Sequence, residues 1–317
     1  MLGGRRVLSV FFTALFLLSS TPLIGAQDND SSYVRAESLV VVVHGNVSHD
    51  STAYTQGLEF YQGRLFESTG LYGNSTLREV NLSSGSVLRS VDLNTSEFGE
   101  GITFVDDEII QLTWQEGIAY RYQMETFDVV ANYTYEGEGW GLVYDGNQII
   151  MSNRTDVLTL RNASTFEIEG TLNVTLNGLP VTKINEMEIW NGMILANIYQ
   201  TEEIIGIDLN SGVAIVHIDA SGLRPQGAGV LNGIAFDTST QSLWITGKEW
   251  PMMYNVTFIE PEVPSEPEPE VESPSSDTET FVYSNVLLAI MLVAVVSLLA
   301  MNLKDGGRNP PDEGAPK

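Results

Sequence analysis

Two side chains of this chain stand out as able to move a proton or hold a charge in a site: Glu100 and Lys248. Glu100 opens the segment Glu100-GITFVDDEIIQLTW, and Lys248 closes the segment Asn232-GIAFDTSTQSLWITGK. A carboxyl group can take a proton from a nucleophile and hand it to a leaving group. An ammonium can stabilise an oxygen that gains negative charge, or hold a nearby carboxylate ionised. Lys248 is one of two lysines between positions 27 and 280, the other being Lys183. Three further segments share the design of these two: Gln56-GLEFYQGRLFEST, Trp140-GLVYDGNQIIMSNR and Asn185-EMEIWNGMILANIY. Their lead residues, Gln56, Glu100, Trp140, Asn185 and Asn232, are 44, 40, 45 and 47 positions apart. Trp114 and Tyr199 each lie 14 residues after a lead residue, and Lys248 lies 16 after, the longer Asp237–Ser242 turn accounting for the extra two. Thr69 and Arg154 lie near the matching place in the other two segments. Where repeats differ chemically at equivalent positions, packing does not explain the choice. One carboxylate, one ammonium, several amides and three large aromatics suit a pocket for a small polar molecule with an apolar wall.

Other chemistries are poorly served. The 317 residues include no cysteine, which excludes disulfide scaffolds, thiolate nucleophiles and Cys-ligated zinc. The three histidines, His44, His49 and His217, have no His-x-x-x-His spacing, so neither a catalytic metal nor any other cofactor is expected. With 41 acids against 15 bases and a net charge of −26, the chain is not expected to bind nucleic acid, whose phosphates call for clustered Lys and Arg. No Gly-x-Ser-x-Gly elbow accompanies a helical pattern, and no Gly-rich phosphate loop precedes a helix.

The elements that must position these residues are strands. Each segment has a small or polar start, an alternating apolar stretch, a Gly, Asp or Ser turn, and a second alternating stretch, which is the pattern of a half-buried hairpin. Further short strands, such as Leu77–Leu82 and Val87–Leu93, lie between them. Four short strands per unit at a period of 40–47 residues predict an all-β, five-bladed β-propeller. The lead residues then ring the mouth of the central channel. Leu39–His44 and the strand near Trp250–Phe258 are expected to complete one blade from both ends and close the ring, removing exposed sheet edges.

The ends read differently. Residues 1–26, with Arg5 and Arg6 before an apolar run, are expected to be a signal peptide. Residues 27–259 form the expected catalytic propeller domain. Residues 260–280 are Pro, Glu and Ser with eight acids, the composition of an extended stalk. Residues 281–303 are 23 uncharged positions, long enough for a single C-terminal transmembrane helix. Lys304 and Arg308 follow, so the tail 304–317 is expected in the cytoplasm and the propeller outside, at the cell surface. Asn-x-Ser/Thr sequons are dense, and those at Asn46, Asn74, Asn81, Asn94, Asn132, Asn153, Asn162, Asn173 and Asn255 fit a glycosylated exterior. A monomer is expected.

From about 54 to 258 the chain resembles the glutaminyl-peptide cyclotransferases of the plant and bacterial type. The resemblance is carried in order by Tyr54-TQGLEF, LFESTGLYGNSTLREVNL, FGEGITF with QLTW, EGWGLVYDG, INEMEIWNG with ILANIY, VLNGIAFD and ITGKEWPMMYNV. It implies a five-bladed propeller, unrelated to the zinc-dependent animal enzymes. The implied reaction turns an N-terminal glutamine of a peptide or protein into 5-oxoproline with release of ammonia and without a metal. It further implies Glu100 as the catalytic acid and base, with Gln56, Trp114, Trp140, Asn185 and Lys248 lining the pocket and Tyr54 and Phe98 as aromatic neighbours. Two positions depart from the family: Tyr199 stands where tryptophan is usual, and Tyr54 where phenylalanine is usual. Both keep a ring. The residues alone leave open whether Lys248 or the Asn185 amide meets the developing oxyanion, and whether Lys248 instead pairs with Glu100. The competing class is a membrane-anchored propeller that binds a partner and does no chemistry.

Overall fold

In the computed structural model the described residues are 33–262 and 287–297. The first stretch is built of strands. β1 (Glu37–Ser48) is followed by four-stranded antiparallel blades. The first blade is β2 (Thr55–Tyr61), β3 (Arg64–Thr69), β4 (Thr76–Val80) and β5 (Val87–Asp92). The second is β6 (Gly99–Val105), β7 (Glu108–Thr113), β8 (Ile118–Gln123) and β9 (Val129–Thr134). The third is β10 (Leu142–Tyr144), β11 (Gln148–Met151), β12 (Val157–Asn162) and β13 (Ile168–Asn173). A small hairpin of β14 (Thr175–Leu176) and β15 (Leu179–Pro180) leads to the fourth blade, β16 (Ile184–Trp190), β17 (Met193–Ile198), β18 (Glu203–Asp208) and β19 (Val213–Asp219). The fifth holds β20 (Leu231–Asp237), β21 (Ser242–Gly247) and β22 (Met252–Ile259), and β1 supplies its outer strand.

The inner strands β2, β6, β10, β16 and β20 touch in sequence, and β20 touches β2, so the five blades form a closed propeller. Closure comes from both chain ends, as the sequence predicts. β1 pairs antiparallel with β22 from Val40↔Ile259 to Ser48↔Met252, and its start pairs parallel with β19.

Each seam between neighbouring blades holds one apolar cluster. Phe66 and Leu77 of the first blade meet Ile102, Phe104 and Ile109 of the second. Leu58 and Leu65 of the first blade meet Ala235 and Met253 of the fifth. The other three seams are filled in the same way. A sheet buried on both faces needs apolar residues on both, and each such side chain removed from water contributes about 1.5–3 kcal/mol.

The glycines after the lead residues have a steric cause. A Cβ on Gly57 would lie 2.6 Å from the Ile102 nitrogen, and one on Gly101 would lie 2.6 Å from the Trp140 carbonyl oxygen. Backbones of neighbouring inner strands approach this closely at the mouth, where the Gly101 amide donates to the Trp140 carbonyl at 2.7 Å. That approach draws the lead side chains into one narrow ring.

The other described stretch, 287–297, is helical and lies within the segment expected to span a membrane. No helix among the described residues is long and apolar enough to cross a membrane. The signal segment 1–26, the rest of the span, the tail 304–317 and the stalk beyond position 262 lie outside the described residues.

Candidate active site

At one end of the channel a cavity of about 190 Å³ is lined by Tyr54, Gln56, Phe98, Glu100, Trp114, Trp140, Asn185, Tyr199 and Lys248. All nine are among the residues singled out from the sequence, and all five blades contribute. The cavity is smaller than the ~300–1,000 Å³ typical of sites for drug-sized ligands. It suits one residue of a substrate. Gln56, Glu100, Asn185 and Lys248 are buried at its floor, while Tyr54, Phe98, Trp114 and Tyr199 are half-buried and form a collar. Lead residues sit at the start of inner strands and Trp114, Tyr199 and Lys248 just past the ends of second strands, because a hairpin brings those two places together. Thr69 is buried away from the cavity, with its hydroxyl 2.8 Å from that of Thr76. Arg154 is exposed, 3.7 Å from Glu138.

The hydrogen bonds at the floor run in one direction. Buried Asn232 donates from Nδ2 to the Thr55 carbonyl at 3.0 Å and to Gln56 Oε1 at 3.2 Å. With its oxygen so engaged, Gln56 turns its amide nitrogen to Glu100 and donates to Oε1 at 3.0 Å. The other carboxyl oxygen of Glu100 is buried with no hydrogen-bond partner. Burial pushes the Glu100 carboxyl well above the ordinary carboxylate range, and the Lys248 charge offsets part of that rise. Asn185 also keeps a buried, unpartnered oxygen, Oδ1. Asn232 was legible as a lead residue, but its place one layer behind the pocket was not.

Lys248 does not rest on Glu100. Its Nζ lies 4.6 Å from the Tyr54 ring centroid and 5.0 Å from that of Tyr199, within cation–π range. Burial lowers its pKa to about 8, with the Glu100 charge acting in the opposite sense. The collar has two parts. Phe98 packs edge-on to Tyr54, Tyr72 and Trp114 at 6.0, 5.4 and 5.7 Å between centroids, and Trp140 packs edge-on to Tyr199 at 5.4 Å. Two acids steady it: Tyr72 donates to Glu116 at 3.1 Å, and the Trp140 indole donates to Glu138 at 3.1 Å. Tyr72, Glu116 and Glu138 sit outside the strand pattern, in connections where spacing carries no signal.

The pocket's own carboxylate is Glu100, but the ring of inner strands holds more acids than the repeat suggests. Where other blades place glycine after the lead residue, the fourth places Glu186. Its carboxyl accepts the backbone amides of Leu58 at 3.3 Å and Ile234 at 2.8 Å, and Glu188 accepts that of Phe236 at 3.0 Å. These acids bridge the fourth blade to the first and fifth. Among the described residues no group of three or more His, Asp or Glu side chains is placed to hold a metal ion.

The sequence model of the glutamine cyclotransferase family matches residues 15–258. The chain is 35% identical over 218 residues to a glutaminyl-peptide cyclotransferase of Arabidopsis thaliana, which covers 66% of this chain and 68% of that relative. Its fold matches the crystal structure of Myxococcus xanthus glutaminyl cyclase with a TM-score of 0.68 and 33% identity, covering 72% of this chain and 100% of the other. A match over most of the propeller, by family, by curated relative and by solved structure, shows that the chain belongs to the glutamine cyclotransferase family.

Proposed function

We propose that this protein is a glutaminyl-peptide cyclotransferase that converts the N-terminal glutamine of peptides and proteins to 5-oxoproline and releases ammonia. The observation that carries this reading is Glu100: a buried carboxyl, tethered through one oxygen and free at the other, facing a cavity for one residue walled by aromatic rings. A propeller that only displayed a binding face would have no use for a desolvated acid there.

The reaction is intramolecular, so holding the side chain folded back toward its own amine supplies much of the rate. Trp114, Trp140 and Tyr199 are the walls that do this. The α-amine attacks the γ-carboxamide carbon, forming the new C–N bond and a tetrahedral intermediate. The free oxygen of Glu100 takes a proton from the amine nitrogen and returns it to the amide nitrogen, so the old C–N bond breaks and ammonia leaves. The α-amine of a peptide titrates at about 7.7–8.0, and a carboxyl raised by burial lies closer to it than an exposed one, which makes the transfer less uphill. Oδ1 of Asn185 is an acceptor and suits an N–H of the substrate. Lys248, a donor held off Glu100 by two rings, suits the carboxamide oxygen.

The test is incubation of the full-length protein with a Gln-initiated peptide, following ammonia and the loss of one NH₃ from the peptide mass. An intact peptide and no ammonia would sink the reading.

We further propose that the enzyme is a monomer exported by segment 1–26 and anchored by 281–303, with the propeller outside the cell. The 23 uncharged positions followed by Lys304 and Arg308 support the anchor. Among the described residues no sequon asparagine is buried, as glycosylation at those positions would require. Release of the enzyme from membranes by alkaline carbonate alone, without detergent, would remove the anchor from this account.

A further inference from the structure

Behind the pocket, at the seam of the first and fifth blades, lies a buried charged cluster that the reaction does not use. His49 follows β1 directly, and its backbone amide donates to the Pro251 carbonyl at 2.9 Å. Its ring Nδ1 lies 2.7 Å from the Trp250 carbonyl oxygen, and its Nε2 lies 3.0 Å from Glu67 Oε1. The same Glu67 oxygen accepts from the Thr55 hydroxyl at 2.6 Å. The second Glu67 oxygen accepts from Arg78 Nε and Nη2 at 2.9 and 2.7 Å, and Arg78 Nη1 reaches Asp50 at 2.9 Å. Glu67, Arg78 and Asp50 are the charged groups around the ring.

A carbonyl oxygen and a carboxylate can only accept. The third partner, the Thr246 hydroxyl 3.4 Å from Nδ1, donates to the Met252 carbonyl at 3.0 Å and is left to accept. Both ring nitrogens therefore donate, which makes His49 an imidazolium inside the protein. Burial by itself lowers the His49 pKa, but the Glu67 charge and hydrogen bond and the Trp250 carbonyl prevail and hold it above its ordinary value. Burial likewise opposes ionisation of Glu67, yet His49 and Arg78 hold that carboxyl down at about 2.

The two groups that His49 joins are neighbours of the site. Trp250 lies two residues beyond Lys248, and the Glu249 amide between them donates to the Ala53 carbonyl at 2.6 Å. Thr55, on the Glu67 side, stands between Tyr54 and Gln56. The ring thus clamps the segment that carries Lys248 to the strand start that carries Tyr54 and Gln56. Lys248 must span that seam to lie over the Tyr54 ring.

We propose that His49, donating from both ring nitrogens, is a positioning residue that sets the spacing between Lys248 and the Tyr54–Gln56 segment. The activity arm of its test rests on the cyclisation reading above; the spectroscopic arm does not. A glutamine amide reaches the place of Nε2 and an asparagine amide the place of Nδ1. His49→Gln therefore keeps the bond to Glu67 and loses the bond to Trp250, and His49→Asn does the reverse.

The expected result is a crossed pattern. His49→Gln keeps most of the melting temperature and loses roughly 10–100-fold in kcat on a Gln-peptide at nearly unchanged KM, the scale of a misplaced catalytic group. His49→Asn melts lower, because Glu67 loses a donor, but keeps more of kcat. In the full-length protein labelled with ¹⁵N-histidine, the resonances missing from His49→Asn should report protons on both ring nitrogens at about pH 7.5, an imidazolium well above the ordinary histidine range. A single ring N–H there overturns the proposal. So does a loss of kcat that follows melting temperature alike in both variants, which is the mark of a merely structural residue. If the wild-type protein turns over no Gln-peptide, the cyclisation reading fails, and the resonances and the two melting temperatures still decide whether His49 clamps the seam.

Discussion

Gln56 donates to one oxygen of Glu100 at 3.0 Å and leaves the other bare in a desolvated pocket. The tether fixes the carboxyl plane and spends only half of its accepting capacity. The bare oxygen is unfavourable for the resting protein and useful to a substrate that brings its own N–H.

Glu100→Gln should lower turnover by about 10²–10⁴-fold, the usual contribution of a general acid–base group. It should also stabilise the fold in a pH-dependent way. The Glu100 carboxyl titrates higher in the folded than in the unfolded state, the reverse of a salt-bridged acid. The wild type therefore loses stability as pH rises from the ordinary carboxylate range through the raised value, and the variant does not. The gap in melting temperature should widen as pH rises above the ordinary carboxylate range. A gap that narrows as pH rises would contradict the burial account.

Asn232→Leu acts one layer back. Without its donor, the Gln56 amide is free to turn its oxygen toward Glu100. Loss of a donor to the ionised form raises the carboxyl pKa, so the acidic limb of the rate profile should move to higher pH. The cost in turnover should be about 3–10-fold, the scale of one hydrogen bond at about 0.5–1.5 kcal/mol. A pH–rate profile identical to wild type would show that Asn232 does not orient Gln56.

Lys248→Met separates two effects of one charge. Turnover should fall by roughly 10²–10³-fold if its ammonium meets the developing oxyanion. The Lys248 charge also lowers the Glu100 pKa through space, so the acidic limb should shift upward. The alkaline limb is the sharper test. In the wild type the ammonium is lost as pH rises through about 8, so turnover should decline there and the variant should lack that limb. An alkaline limb that persists in the variant assigns it to another group.

Tyr199→Ala removes the ring that faces Trp140 edge-on at 5.4 Å and covers Lys248. Loss of an aromatic pair of about 0.5–1.5 kcal/mol from the pocket wall should raise KM several-fold. Tyr199→Trp keeps a ring and should hold KM near wild type while altering the preference for the residue after glutamine. Equal KM values for all three proteins would take Tyr199 out of the binding wall.

The propeller and its mouth were legible because a repeat is read against itself. Five hairpin segments with matching lead positions define equivalent places, and Glu100, Trp114, Tyr199 and Lys248 are odd at those places. What lay one step behind was not legible. Asn232 looks like another mouth residue, since nothing local says that its amide turns back to Gln56. Glu186 occupies a glycine position in its repeat, yet its partners are backbone amides on two other blades. His49 precedes the first repeat and its partners are Glu67 and Trp250, so no spacing rule connects them. Such contacts exist only after closure of the ring, and the period of one blade carries no record of them.

That closure has a consequence for when the enzyme comes into being. β1 pairs with β22 through residues more than two hundred positions apart, and the fifth blade lacks its outer strand until they meet. Contacts of such long sequence separation form late and slowly, because the loop entropy must be spent before they return anything. As the chain emerges in order, four blades can assemble while the fifth waits for its last strand. Every blade supplies a wall of the pocket, so a nascent or truncated propeller is short of a side chain that matters, Lys248 above all. Catalytic competence should therefore appear in one step at the end of folding, and any lesion that parts β1 from β22 should silence the site and open the ring of blades together.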